Sequence, residues 1–207
     1  MYKVLHPLYM FAGHIICKCI LIICVIRDRI SPPQEDTLLI VTHPDDDTLF
    51  FHTKIKEYKP YVALMVTGWS LKRLFDFIKV MKYYGVKFRP YDTVEDKPNA
   101  EKKIIKQIKA VFKAGNFKRC LTHNAEGEYG HRNHKLVHQC VASNVDCEIL
   151  VPVSNGSISL YPLDEETIKE KEFIFNNYYT TETFVIDEYR DWLTHEKLER
   201  VKPDEKD

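Results

Sequence analysis

The run Leu38-Leu39-Ile40-Val41-Thr42 is short, apolar up to its last residue and β-branched at its end, and it stops on His43-Pro44-Asp45-Asp46-Asp47. An apolar run of this length, bounded by turn-forming residues, suits a strand covered on both faces. Tyr61–Thr67 is a second such run, and Arg119–Thr122 and Glu148–Val153 are further strand candidates. Helical stretches separate them. Asp46–Tyr58 can form a helix directly after the first strand. Ser70–Tyr84 carries Leu71, Leu74, Phe75, Ile78, Val80 and Met81 close to helical period, with Ser70 placed as an N-cap and Gly85 as a stop. Pro98–Ala114 repeats the pattern through Ile104, Ile105, Ile108, Val111 and Phe112. Strands alternating with helices predict an α/β fold, a mostly parallel sheet with helices on both faces. The charged stretch from about Lys197 is expected to fray.

Residues 1–33 stand apart from the globular part, 34–207. Leu8 to Ile26 is mostly apolar and predicts an N-terminal apolar helix of nineteen residues, just long enough to cross a hydrocarbon core. Lys18 near its centre costs roughly 2.5–3.5 kcal/mol on insertion, while each Leu or Ile returns about 0.3–0.6 kcal/mol, so the two sides nearly cancel. The expectation is a membrane anchor over 8–26, with an extra buried helix as the alternative. Arg27 and Arg29 after the segment, against Lys3 before it, favour a cytosolic catalytic domain. Pro32 and Pro33 mark the break before the domain.

Composition narrows the function. Thirty basic and thirty acidic side chains cancel, which gives no electrostatic reason to expect a nucleic-acid partner. The six cysteines include no C-x-x-C, so neither a zinc finger nor a disulfide framework is indicated, and a reducing compartment fits 34–207. No glycine-rich phosphate loop follows a strand.

In a parallel sheet, ligands bind beyond the carboxyl ends of the strands. The first strand ends on His43-Pro44-Asp45-Asp46-Asp47, and the third candidate ends on His123-Asn124-Ala125-Glu126-Gly127-Glu128-Tyr129-Gly130-His131-Arg132-Asn133-His134. A catalytic zinc needs three protein ligands and an open position for water. The first cluster can supply a histidine, a ligating carboxylate and a free carboxylate to take a proton, and the second can supply a further histidine. His131 and His134, three apart, share a helix face, and Gly127 and Gly130 allow a sharp turn before it. Each cluster also has a purely structural reading. Asp45 or Asp46 can cap a helix, His131 and His134 can be exposed polar residues, and His138 and His123 can be packed histidines. Glu126 and Glu128 read as solvated loop charges, with substrate contact left open for Glu128.

Taken together, Thr42-His43-Pro44-Asp45-Asp46 and Thr122-His123-Asn124-x-x-Gly127-x-Tyr129-Gly130-His131-x-Asn133-His134 resemble the PIG-L (LmbE-like) deacetylases. The resemblance covers roughly Leu38 to Val153. It implies a Rossmann-like fold, one zinc ion and hydrolysis of the N-acetyl group on a glucosamine-containing substrate, either a glycolipid such as N-acetylglucosaminyl phosphatidylinositol or a soluble sugar conjugate. Carried over residue by residue, it implies His43, Asp46 and His134 as metal ligands and Asp45 as the general base. It implies Tyr129 and His131 as oxyanion-stabilising groups, with His131 also placed to protonate the leaving amine. Arg73 and Asp92 are implied as sugar contacts. Asp47 adds a third acid beside the motif, so the choice of Asp45 and Asp46 rests on the resemblance. Beyond Val153 no substrate-contacting element can be placed. A two-histidine, one-carboxylate site also suits Fe2+. Two other functions compete: an inactive metal-binding module that recognises a glycan or lipid, and another metallohydrolase on the same fold.

Overall fold

The computed structural model describes residues 2–68, 70–94, 99–154 and 156–201, with the side chains of residues 2–10 and of Asp92 outside that description. Six strands form one sheet: β1 (Thr37–Val41), β2 (Tyr61–Val66), β3 (Phe88–Thr93), β4 (Arg119–Leu121), β5 (Glu148–Pro152) and β6 (Leu198–Arg200). Their order is β3-β2-β1-β4-β5-β6. The first five are parallel, and β6 pairs antiparallel to β5. The helices are α1 (Tyr2–Ile30), α2 (Asp46–Tyr58), α3 (Leu71–Tyr84), α4 (Ala100–Phe112), α5 (Arg132–Ala142), α6 (Glu165–Asn177) and the short α7 (Val185–Glu188) and α8 (Arg190–Thr194). This is the mostly parallel α/β sheet expected from the alternation, and its strand order is that of a doubly wound, Rossmann-like sheet.

The strand residues alternate between two cores, as a strand with both faces covered must. Leu39, Val41, Val62, Leu64 and Leu121 pack with Phe50, Phe77, Val80, Phe175 and Leu193 on one side. Leu38, Ile40, Ala63, Met65 and Cys120 pack with Ile104, Ile108, Val137 and Val141 on the other. Burial at β1 and β2 is complete at every position, which is why both read as unbroken apolar runs. Ser70 caps α3 by accepting the Arg73 amide, and Gly85 ends it in the left-handed region. The structure adds β3, whose Arg89 and Pro90 hid it from pattern reading; proline is tolerated there because β3 lies at the edge of the sheet. The stretch from Lys197 corrects an expectation as far as Val201, while residues 202–207 lie outside the described residues. Leu198–Arg200 does not fray but pairs with β5, because Leu198 is buried in the core while Glu199 and Arg200 face out.

The N-terminal helix also departs from expectation. Among the described residues no helix is long and apolar enough to cross a membrane, which corrects the span expected over 8–26. From Phe11 on, α1 packs against the domain. Gly13, Cys17, Cys24 and Asp28 form a buried face at helical spacing. Cys17 Sγ lies 3.5 Å from Thr67 Oγ1. Asp28 is ion-paired to Arg89 on β3, accepts the Tyr61 hydroxyl at 2.6 Å and pairs with its neighbour Arg27 at 2.7 Å. Arg27 reaches on to the Phe88 carbonyl at 2.9 Å. The opposite side of α1 leaves Phe11, Ile15, Ile22, Ile23, Ile26 and Ile30 exposed.

Candidate metal centre

The chain leaves β1 toward β2 and β3 on one side and returns through β4 and β5 on the other. The carboxyl ends of β1 and β4 therefore lie next to each other at the switch point of the sheet, where such folds open a crevice. The loop after β1 brings His43, Asp45 and Asp46, and the loop after β4 leads into α5 with Tyr129, His131 and His134. Gly127 makes that second loop possible. Its φ is +68°, and a Cβ there would meet the His131 carbonyl at 2.5 Å, so no larger residue fits without shifting the backbone.

Four candidate donor atoms on three residues converge, since Asp46 meets the two histidines through different oxygens. His43 Nδ1 lies 3.2 Å from His134 Nε2, Asp46 Oδ2 lies 3.5 Å from His43 Nδ1, and Asp46 Oδ1 lies 3.4 Å from His134 Nε2. Ligands bonded tetrahedrally at about 2.0–2.1 Å stand about 3.3–3.4 Å apart, so this trio has the spacing of a small cation's coordination edge. Asp46 and His134 are buried at 1% and 0% exposure. Burial would raise the Asp46 carboxyl, but the adjacent His134 and His123 hold it well below the usual carboxylate range.

Two further histidines stand close enough to compete as ligands. The atoms of His43, His131 and His134, and those of Asp46, His123 and His134, each fall within 4.8 Å of one another. His123 Nε2 stands 3.4 Å from Asp46 Oδ2, and its hydrogen bonds set it apart from the other ring nitrogens. Its Nε2 accepts the Thr42 amide at 3.0 Å, which occupies the lone pair a metal would need, and its Nδ1 meets Glu128 Oε2 at 3.1 Å. His131 is the N-cap of α5, and its Nδ1 accepts the Asn133 amide at 3.3 Å. In the neutral ring this leaves Nε2 as the protonated nitrogen, a donor at the cleft. His138 is a packed histidine whose Nδ1 meets the His123 carbonyl at 2.8 Å.

The three consecutive aspartates separate. Asp47 turns into the core, where its carboxyl meets the Tyr179 hydroxyl at 2.6 Å and that of Thr48 at 2.8 Å, and burial pushes it well above the ordinary range. Asp45 faces the cleft with Oδ1 buried and without a hydrogen bond, 3.8 Å from Arg73 Nη2. Burial, and next the charge of Asp46, push it up to about 6, with His43 and Arg73 pulling the other way. Arg73 in turn pairs with Glu182 at 2.8 Å.

A cleft of about 200 Å³ opens on this group, lined by His43, Asp45, Arg73, Tyr129, His131, Glu182, Phe184 and Tyr189. Six of the expected site residues, His43, Asp45, Asp46, Tyr129, His131 and His134, come together here, and Arg73 joins them at the wall. Asp92 lies on β3 at the edge of the sheet, with its side chain outside the described residues. Sequence reasoning missed Glu182, Phe184 and Tyr189, which come from the segment around α7 and carry no motif. Tyr189 stacks on Tyr129 with ring centroids 4.2 Å apart. Burial and the charges of Asp46 and Asp45 raise the Tyr129 phenol, so it stays protonated and can donate. Glu128 corrects an expectation: it is a buried partner of two histidines and not a solvated charge. A larger groove of about 530 Å³ beside α4, lined by Lys106, Lys109, Lys113 and Phe112 among others, carries no acid or histidine.

Known proteins resemble this chain at two levels. No family model matches it. In sequence it is similar to uncharacterized protein L374 of Acanthamoeba polyphaga mimivirus, 27% identical over 124 residues that make up 50% of this chain and 55% of the viral protein, so the match spans about half of that relative. In structure it is similar to GalB, the 4-carboxy-2-hydroxymuconate hydratase of Pseudomonas putida KT2440. The TM-score is 0.55 at 13% identity, covering 81% of this chain and 97% of that one, and this likeness supports the fold.

Proposed function

We propose that this chain is a metal-dependent hydrolase that removes the acetyl group from an N-acetylated amino sugar, the activity of the PIG-L (LmbE-like) deacetylases that its two motifs resemble. The observation that carries the reading is the convergence of His43 Nδ1, Asp46 and His134 Nε2 beside a cleft-facing carboxylate, Asp45, whose Oδ1 has no hydrogen bond. The residues fit a zinc ion, and Fe2+ suits the same donor set. His43, Asp46 and His134 would hold such an ion, which would supply acidification of a water and polarisation of an amide carbonyl.

The rest of the chemistry belongs to the chain. Asp45 takes the proton of the attacking water. Tyr129, a protonated phenol, and His131, through Nε2–H, donate to the oxygen on which negative charge develops. Asp45, which holds the proton taken from the water and faces the same cleft, then returns it to the leaving amine, so that His131 keeps its Nε2–H. Arg73 and Glu182 offer a fixed donor and acceptor to sugar hydroxyls, and the Tyr129–Tyr189 stack gives the sugar an apolar wall. The test is acetate release from a panel of N-acetylglucosamine conjugates with and without a chelator. Chelator-sensitive acetate release supports the reading; no release across the panel contradicts it. Addition of water to an activated carbon–carbon double bond, the reaction class named for GalB, would use the same water-activating groups, and turnover of such an alkene without acetate release would favour it.

Membrane association enters this reading as attachment to a surface. On α1 the exposed Phe11, Ile15, Ile22, Ile23, Ile26 and Ile30 share one side, bordered by exposed Lys18 and Arg29, which suits a helix lying on anionic lipid. Attachment would concentrate a lipid-linked amino sugar at the cleft. Flotation with anionic vesicles, lost on Ile22→Ser with Ile26→Ser, is the expected result; no flotation of the wild-type chain contradicts it.

A further inference from the structure

Glu128 has no task in the reaction proposed above, yet its carboxylate is among the most constrained in the chain. It is 2% exposed. A single oxygen, Oε2, lies 2.7 Å from His134 Nδ1 and 3.1 Å from His123 Nδ1, while Oε1 accepts the Asn124 amide at 2.9 Å. An ionised carboxylate is only an acceptor, so both rings present Nδ1–H to it. Burial would raise this carboxyl, but the two histidines hold it down at about 2. Its backbone is left-handed, with φ +53°, a conformation disfavoured for a residue with a side chain. Asn124 holds it there. The Asn124 Oδ1 accepts the Glu128 amide at 2.8 Å, and Asn124 Nδ2 donates to the carbonyls of Pro152 and Val153 at 3.2 and 3.3 Å.

We propose that Glu128 is the positioning residue of the metal centre: its one shared oxygen fixes His134 with Nε2 turned to the ligand position and holds His123 beside it with Nε2 on the Thr42 amide, 3.4 Å from Asp46 Oδ2. The proposal rests on the metal-centre reading. A ligating histidine characteristically donates its second ring nitrogen to a carboxylate, which sets the ring's tautomer and orientation and raises its basicity. Glu128 does this for His134. Through His123 it also reaches β1. The two rings stack with centroids 3.8 Å apart and planes 20° from parallel, and His123 Nε2 receives the amide of Thr42, the residue before the ligand His43. One carboxylate therefore ties together the two strand ends that carry the ligands. With that oxygen gone, His123 and His134 lose the common acceptor that keeps one ring a ligand and the other a strut.

The test compares full-length wild-type protein with Glu128→Gln and with Glu126→Gln, the exposed acid two residues earlier. Zinc dissociation constants are measured by competition with a chromophoric chelator, and ring tautomers by nitrogen-15 spectra of histidine-labelled, zinc-free protein at a pH where the rings are neutral. Glu128→Gln is expected to bind zinc about 10–100-fold more weakly and to lose the uniform Nδ1–H state of His123 and His134. Glu126→Gln is expected to match wild type in both. Should Glu128→Gln fail to fold, Glu128→Asp, which keeps the charge and shortens its reach, is expected to weaken zinc at least tenfold. Wild-type zinc affinity in the Glu128 variant, or unchanged tautomers, would overturn the proposal. Wild-type protein that binds no zinc would instead overturn the metal-centre reading beneath it.

Discussion

Two clusters of buried charge hold this chain together, and they differ in one respect. Under α1, the Asp28 carboxylate faces only donors: Arg89, Arg27 and the Tyr61 hydroxyl. At the ends of β1 and β4, histidines and a carboxylate meet one another instead: His43 Nδ1, His134 Nε2 and the two oxygens of Asp46 stand 3.2–3.5 Å apart. The first cluster pairs opposite charges, and its work is to clasp a helix to a sheet. The second gathers ring nitrogens and carboxylate oxygens that could hold a cation. Burial alone does not mark a functional site; the kinds of atoms gathered at one point do.

The largest effect is expected at Asp45. Asp45→Asn keeps the shape of the cleft and removes the proton acceptor, so turnover should fall about 10²–10⁴-fold with zinc content unchanged. Turnover within a few-fold of wild type would remove Asp45 from the mechanism. The contrast sharpens at Asp28. Asp28→Asn leaves Arg89 buried without its partner, a change that costs about 3–5 kcal/mol and lowers the melting temperature on the order of 10 °C, while zinc affinity stays unchanged. A loss of zinc affinity in that variant would mean that the two clusters are not separate.

Tyr129→Phe removes one donor to the developing oxyanion and should lower kcat about 10²–10³-fold with little change in KM. A change in KM alone would make Tyr129 a sugar contact. The smallest effect is on pH. Asp45 acts as a base only when ionised, so the rate falls on acidification. Glu182 is one of the charges that raise its carboxyl. Removing that negative charge with Glu182→Gln lowers the Asp45 pKa and moves the acid limb of the rate profile to lower pH. A shift to higher pH would contradict the electrostatic placement of Glu182.

Much of this was legible in the sequence because the site sits where an apolar run stops. Leu38 to Val41 announce a strand covered on both faces, and the residues that follow such a strand are the ones the fold exposes to ligand. The two clusters after β1 and β4 were readable for that reason, while the choice of His43, Asp46 and His134 within them came from the motif resemblance. Asp47 and Glu128 were not, because their positions depend on partners far along the chain or on a left-handed turn: Tyr179 draws Asp47 into the core, and Asn124 folds Glu128 inward. Glu182, Phe184 and Tyr189 reach the cleft from a segment with neither strand pattern nor motif, so only the tertiary fold brings them there. The stretch Leu8–Ile26 was readable as an apolar helix, and the structure extends it to Tyr2–Ile30. Its docked face was less so, because the cue is a single aspartate whose partner, Arg89, lies on a strand interrupted by proline.

The convergence of His43, Asp46 and His134 is tested most directly by counting metal ions. Purified wild-type chain, loaded with zinc and freed of excess by gel filtration, should retain one zinc ion per chain by mass spectrometry of the elements, and His134→Ala, refolded and loaded identically, should retain none. One zinc per chain in both proteins would contradict the assignment of His134 as a ligand, and no zinc in the wild type would contradict the metal centre itself.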